Sequence, residues 1–360
     1  MQKKLIALAV AALASGAAFA QSNVTIYGNV DVGFSHRSDN TVSNVGSQNA
    51  IDSGISDDSY VGFKGVEDLG NGLTALFVLE AGFTADDGAS TGSLFQKQAF
   101  LGLTGNFGTA IAGRLVAPRH SFLASLDPFG AGTVGQYRNV FNDVPFAGVT
   151  IADVDRVDNA VAYVSPSFSG FNVTAAYATN GIAQENLENN GDAQVITVLP
   201  RYTNGPLDVG LVYQGIKVKD TDIKVKQWAL GGSYDFKAVK LSSFYDRFKV
   251  DELDLDMKSW LLGASVPFGK HAIQVSFTQS KLDAGAADGK AKQWALGYTY
   301  SLSKRTNFYA AYADINNDEI RRTSVSDANN SATRVEDISG VPTITGAYQK
   351  GFQFGLKHSF

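Results

Sequence analysis

The chain contains no cysteine, which excludes a disulfide framework and thiol chemistry. It has only four histidines, His36, His120, His271 and His358. None stands in a metal-ligand or nucleophile motif, so neither catalysis nor a cofactor is expected. Positive charge is also in short supply, with 30 Lys and Arg against 35 Asp and Glu. There is no basic footprint for a nucleic-acid partner. Beyond the first twenty residues no apolar run approaches the length of a membrane-spanning helix. Mean hydropathy is −0.06. That leaves two readings: a soluble protein, or one whose membrane contact is spread over alternating strands.

What is abundant points to strands. Glycine reaches 37 residues and aromatics 11%, dominated by 23 Phe and 14 Tyr, while proline is held to 8. This composition suits many strands joined by Gly, Asn and Asp turns. The first twenty residues stand apart. MQKK is a positive n-region, LIALAVAALASGAA an apolar h-region, and Ala18-Phe19-Ala20 an A-x-A cleavage site, which together predict a secretory signal peptide over 1–20, cleaved after Ala20.

The mature chain alternates with period two. Val24, Ile26, Val30, Val32 and Phe34 share one parity, and Thr25, Tyr27, Asn29 and Asp31 the other. Each tryptophan leads an apolar stripe that ends in an aromatic: Trp228 to Phe236, Trp260 to Phe268, Trp294 to Tyr300. Amphipathic rings at both ends of a stripe suit a strand that crosses two membrane interfaces. QWALGGSYDF at 227–236 recurs as QWALGYTYSL at 293–302, a modest sign of repetition in a meander. About sixteen such segments, separated by alternately short and long connections, predict an all-β fold: a closed transmembrane antiparallel barrel. Within this pattern 55–66 is predicted as one strand. The terminal GFQFGLKHSF places Phe352, Phe354, Leu356 and Phe360 on one parity. This is expected of a closing strand that pairs on both edges, because a barrel leaves none free.

Six segments in order carry a family resemblance: VTIYGNVDVGF, GFKGVEDLGNGLTALFVLEAGF, QAFLGLTGNFGTAIAGR, RVDNAVAYVSPSFSGF, YSLSKRTNFYAAYA and GLKHSF. Together they resemble the general porins of Gram-negative outer membranes, of the betaproteobacterial type. The resemblance implies sixteen strands, a homotrimer, a surrounding of outer-membrane lipid and lipopolysaccharide, and passage of ions and small hydrophilic solutes. It also implies that Phe352, Phe354, Leu356 and Phe360 form the signal read by the barrel-assembly machinery.

A third loop folded into the pore is implied as well, over roughly 116–157. The residues agree: between Arg114 and Asp158 the alternation vanishes, yet SFLASLDPFG and VFNDVPFAGV remain apolar. Phe122, Leu126, Phe129 and Phe146 are the expected anchors, and long loops with their own core are usually functional. Parity turns Lys64 and Glu80 into the lumen. By resemblance, a ladder at Tyr60, Lys97 and Arg156 faces acids at Glu80 and Asp127 across the constriction. Simple parity places Lys97 with Ala99 and Leu101, facing lipid, unless a bulge intervenes. Arg114, Arg119 and Arg138 are expected as structural partners of the loop. The pairs Asp57-Asp58, Asp86-Asp87 and Asp318-Glu319 are expected as a solvated acidic rim. The expected function is weakly charge-selective passive diffusion, and the alternative is a substrate-specific channel for small anionic solutes.

Overall fold

The computed structural model describes residues 23–40, 46–141, 145–146, 149–150, 154–181, 193–219, 221–284, 287–318 and 348–360. The predicted signal peptide, most of the 314–349 connection and the side chain of Phe146 lie outside them. Strands run in chain order as β1 (Asn23–Asn40), β2 (Gln48–Ser53), β3 (Tyr60–Gly70), β4 (Leu73–Gly82), β5 (Gln98–Gly105) and β6 (Gly108–Val116). A helix α1 (Pro118–Leu126) and a small hairpin, β7 (Pro145–Phe146) with β8 (Val149–Thr150), follow. Then come β9 (Arg156–Val164), β10 (Phe171–Ala178), β11 (Ala193–Asn204), β12 (Leu207–Val218), β13 (Lys224–Asp235) and β14 (Lys240–Val250). The chain ends with β15 (Leu255–Phe268), β16 (His271–Ala284), β17 (Ala287–Ser301), β18 (Thr306–Asn317) and β19 (Tyr348–Ser359).

Apart from the small hairpin, all strands belong to one antiparallel sheet closed between β1 and β19, with Asn29 opposite Ser359 and Asn40 opposite Tyr348. Closure satisfies the backbone groups that an open edge would leave bare in lipid. The barrel has sixteen staves, because β2 and β3 share one edge of β1 and together make a single stave. That stave corrects the prediction of one strand over 55–66. The chain leaves the ladder between Ser53 and Tyr60 through Gly54, at φ 68°. The carboxylate of Asp31 accepts the N–H groups of Ser56 and Asp57, both at 2.8 Å, and the Tyr309 hydroxyl at 2.5 Å. These bonds hold the interruption, and Ile55 within it is fully buried.

Parity sorts the side chains as alternation requires. Gln214, Gln227, Ser259, Thr278, Gln293 and Gln353 are buried on the inner face, whereas Leu230, Leu262, Leu296 and Leu356 are exposed on the outer. Outer aromatics pair across strands: Trp228 with Tyr245 and Trp260 with Phe277 at 5.3 Å, and Trp294 with Tyr312 at 5.2 Å between ring centroids. This is the aromatic band of a membrane interface. At the seam, Phe360 donates to the Gly28 carbonyl at 3.1 Å and accepts the Gly28 N–H at 3.3 Å. A Cβ on Gly28 would lie 2.6 Å from the Phe360 ring, so the terminal aromatic lies over a glycine on the lipid face.

Candidate functional site

The segment between β6 and β9 begins with α1, whose Pro118 stands at the helix start, where a missing N–H costs nothing. The helix ends at Asp127. The Asp127 carboxylate accepts the N–H groups of Phe129 at 3.1 Å, Ala131 at 3.2 Å and Tyr137 at 3.1 Å. Burial nevertheless pushes this carboxyl up to about 6, because a charged group loses its hydration inside the fold. Asp127 was expected to face a basic ladder. It instead staples its own loop, and its oxygens are taken up by backbone amides.

Four apolar side chains of this segment seat on glycines of the inner wall. A Cβ built on Gly210 of β12 would lie 2.9 Å from Phe122, and one on Gly231 of β13 2.5 Å from Leu126. One on Gly263 of β15 would lie 2.5 Å from Pro128, and one on Gly297 of β17 2.6 Å from Phe129. Real Cβ contacts are longer than this, so at these positions only glycine lets the segment approach. Polar contacts finish the fit. One guanidinium nitrogen of Arg119, Nη2, donates to both carboxylate oxygens of Asp246 at 2.8 and 2.7 Å, both side chains 1% exposed. Gln293 donates to the carbonyls of Gly135 and Gln136 at 3.0 and 3.1 Å and accepts from Asn139 at 2.7 Å. The Val134 N–H donates to Gln353 at 2.7 Å, and the Thr133 N–H to the Ile55 carbonyl at 2.6 Å. Residues 118–141 therefore contact the inner faces of β11–β17, the inner face of β19 and the break in the second stave.

The remaining predicted residues gather on the opposite run of staves. Tyr27 of β1 donates to Glu80 of β4 at 2.7 Å, and Gln98 of β5 donates to the other Glu80 oxygen at 2.8 Å. Lys64 of β3 lies over the Tyr27 ring at 4.7 Å. Tyr60 meets Tyr27 edge-on at 6.0 Å and carries Lys97 over its own ring at 5.1 Å. Lys97 forms an ion pair with Asp58. Arg156 reaches Asp58 at 3.2 Å, Asp155 at 2.5 Å and the Lys97 carbonyl at 3.0 Å. Burial opposes ionisation of Asp58, but Lys97 and Arg156 outweigh it and hold the carboxyl below its usual range. The Asp57-Asp58 pair is therefore not a plain solvated rim.

The lysine that simple parity turns toward lipid is 7% exposed and faces inward. Parity fails there because β5 begins only at Gln98, leaving Lys97 free of the pleat. Glu80 stands on the same wall as Lys64 and Lys97 rather than across from them. Sequence reasoning missed Asp58, Asp155 and Gln98 as members of the cluster. Tyr27 could have been found, since it shares inner parity with Asn29 and Asp31. Arg114, expected as a structural partner of the loop, pairs with Asp158.

A closed barrel with an aromatic band outside and a polar and charged wall inside defines an outer-membrane channel. Comparison narrows this: the chain matches the Gram-negative porin family over residues 7–320 and belongs to it. It is 34% identical to outer membrane porin protein 32 of Delftia acidovorans, with all of both chains covered. It is 32% identical to an outer membrane porin of Bordetella pertussis, over 86% of this chain and 93% of that one. Among solved structures, the anion-selective porin from Comamonas acidovorans superposes with TM-score 0.78 at 31% identity, covering 94% of this chain and 100% of that one. The protein is thus a passive-diffusion porin of the outer membrane.

Proposed function

We propose that residues 118–141 form a constriction and that solutes pass between this segment and the wall of Tyr27, Tyr60, Lys64, Glu80, Lys97, Asp58 and Arg156. The row of glycine seats carries the reading. It draws the segment onto the β12–β17 side and leaves the charged wall clear of residues 118–141, as the boundary of the path. Such a path passes small hydrophilic solutes and ions, with selectivity set by the charges at its narrowest level.

Those charges nearly cancel. Lys64, Lys97 and Arg156 are matched by Asp58, Glu80 and Asp155, and each acid is already bonded within the cluster. This balance agrees with the weak charge selectivity expected from the sequence and gives no strong lean toward either sign. The Comamonas relative is an anion-selective porin; here the compensation by Asp58 and Asp155 favours a weaker preference. Planar-bilayer recording in a salt gradient tests this. A reversal potential close to zero supports the reading, and a strongly selective or saturating current favours a substrate-specific channel.

The assembly is proposed as a homotrimer, and an outer membrane protein of Vibrio cholerae that shares this fold is known in a trimer form. The outer faces of β1 and β3–β5, with Val24, Ile26 and Leu101 exposed, supply an apolar surface for packing between barrels. Gly28, on the same outer face, is covered by Phe360. Crosslinking in native detergent that yields only single barrels would refute the trimer. Phe352, Phe354, Leu356 and Phe360 are proposed as the segment read by the assembly machinery, in a chain exported by its 1–20 signal peptide.

A further inference from the structure

The break in the second stave takes residues 54–59 off the ladder. Backbone groups inside a barrel wall need partners, and two inward residues of β1 supply most of them. The Asp31 carboxylate takes the Ser56 and Asp57 N–H groups on one oxygen, Oδ2, and the Tyr309 hydroxyl on the other. The Asp31 carbonyl accepts the Gly54 N–H at 2.8 Å, and its own N–H donates to the Ser59 hydroxyl at 3.0 Å. Asn29 donates to the carbonyls of Asp57 and Asp58 at 3.3 and 3.0 Å. Asp31 is fully buried, so its carboxylate is no surface for a passing solute.

The same short stretch makes the contacts that reach the channel. Asp58 pairs with Lys97 and Arg156, and the Ile55 carbonyl accepts the Thr133 N–H of the inward segment at 2.6 Å. A Cβ on Gly132 would clash with the Ser56 carbonyl oxygen, so segment and break meet backbone to backbone. The two amides held by Asp31 stand immediately before Asp58 in the chain, which leaves little freedom between that carboxylate and the place where Asp58 points. Tyr309 reaches Asp31 from two strands away. It lies opposite Gly355 of β19, and a Cβ there would clash with its hydroxyl. The glycine is the opening through which a side chain of β18 crosses β19 to meet β1.

We propose that Asp31 is the positioning residue of the charged wall. Joined to Tyr309, it holds 54–59 so that Asp58 faces Lys97 and Arg156 and the Ile55 carbonyl faces Thr133. Its influence on ion selectivity runs through Asp58 and not through its own charge. The inference rests on the reading that Asp58 lies beside the path.

The test uses the full-length protein in planar bilayers, with the reversal potential read in a salt gradient. Asp31→Ala frees the break, leaves Lys97 and Arg156 less compensated, and should shift the potential toward anions about as far as Asp58→Asn does. Asp31→Asn loses the same charge but keeps an oxygen that can accept both N–H groups, so it should reverse near the parent. In the Asp58→Asn background Asp31→Ala should add no further shift, because the two act as one unit. Amide hydrogen exchange at Ser56 and Asp57 should be roughly tenfold to a hundredfold faster in Asp31→Ala, as expected for the loss of bonds to a charged acceptor, and close to the parent in Asp31→Asn. Equal shifts in the alanine and asparagine variants overturn the proposal, since Asp31 then acts as a charge. Additive shifts of Asp31→Ala and Asp58→Asn overturn it as well, and so does a parent-like potential in Asp31→Ala when Asp58→Asn moves it. If Asp58→Asn moves nothing, the reading of the path fails, and exchange alone decides whether Asp31 positions the break: faster exchange at Ser56 and Asp57 upholds it, and unchanged exchange overturns it. Should Asp31→Ala not assemble, Tyr309→Phe combined with Ser59→Ala, which alters no charge, takes its place. A shift toward anions with faster exchange then upholds the proposal, and parent-like values of both overturn it.

Discussion

Arg119→Met should release the inward segment from the wall while leaving the barrel closed. Arg119 and Asp246 form an ion pair in which both side chains are 1% exposed. Truncating one member of such a pair takes the charged partner from a carboxylate already out of water, at a cost of about 3–5 kcal/mol. The damage is local. Strand pairing around β14 runs through eleven register positions to β13 and as many to β15, and none of these backbone bonds involves Arg119. The loss therefore falls on the docking of α1, which is otherwise held by the apolar seats. Removing both charges should recover most of it, because a well-packed apolar pair of similar volume replaces a buried ion pair at little cost. The assay is amide hydrogen exchange across 118–141, with single-channel conductance measured in parallel. Arg119→Met should raise exchange in this segment by two to three decades, about 1.4 kcal/mol per decade, and add current noise. Arg119→Met with Asp246→Leu should return both toward the parent. Unchanged exchange in the single variant would refute the reasoning, and so would a double variant no better than the single.

Gly231→Val puts methyl groups where Leu126 sits 2.5 Å from the Cβ position. It should cost about 1–3 kcal/mol by overpacking and change single-channel conductance, whereas Gly46→Val, at a position with open space around it, should not change conductance. Deleting Phe360 should lower the amount of barrel reaching the outer membrane far more than it lowers the melting temperature of barrels already inserted, since it removes about 2 kcal/mol of apolar burial together with its bonds to Gly28; normal surface levels would count against a role in assembly. Arg156→Glu should move the reversal potential toward cations, and Tyr60→Arg toward anions by adding a base beside Lys97. If neither substitution moves it, these residues do not line the path.

Period-two alternation carried most of the fold. The inner and outer faces, the aromatic ends and the paired last strand all follow from parity, because one side of every stave meets lipid and the other does not. The failures share a cause: parity says nothing where the chain leaves the ladder. The break between Ser53 and Tyr60 is held by Asp31, whose carboxylate could as well have been one more lumen charge. Lys97 lies one residue before its strand and turns inward. Asp127 sits in a segment with no period, so only coordinates reveal that backbone amides take up its oxygens. Asp58 was invisible for the opposite reason, as a member of an acidic pair that composition alone assigns to a wet rim. Its partners, Lys97 just before β5 and Arg156 at the start of β9, lie 39 and 98 residues away in sequence.

Asp58 also offers the most direct test. In the proposed path the charged wall is balanced because Asp58 compensates Lys97 and Arg156 together. The measurement is the reversal potential in a salt gradient for the parent and for Asp58→Asn, a substitution close in size that removes the charge. The parent should reverse near zero. The variant should shift toward anion selectivity, and more at low salt, where screening extends over longer distances. A variant that reverses where the parent does, with conductance intact, would contradict the placement of this cluster at the narrow part of the path.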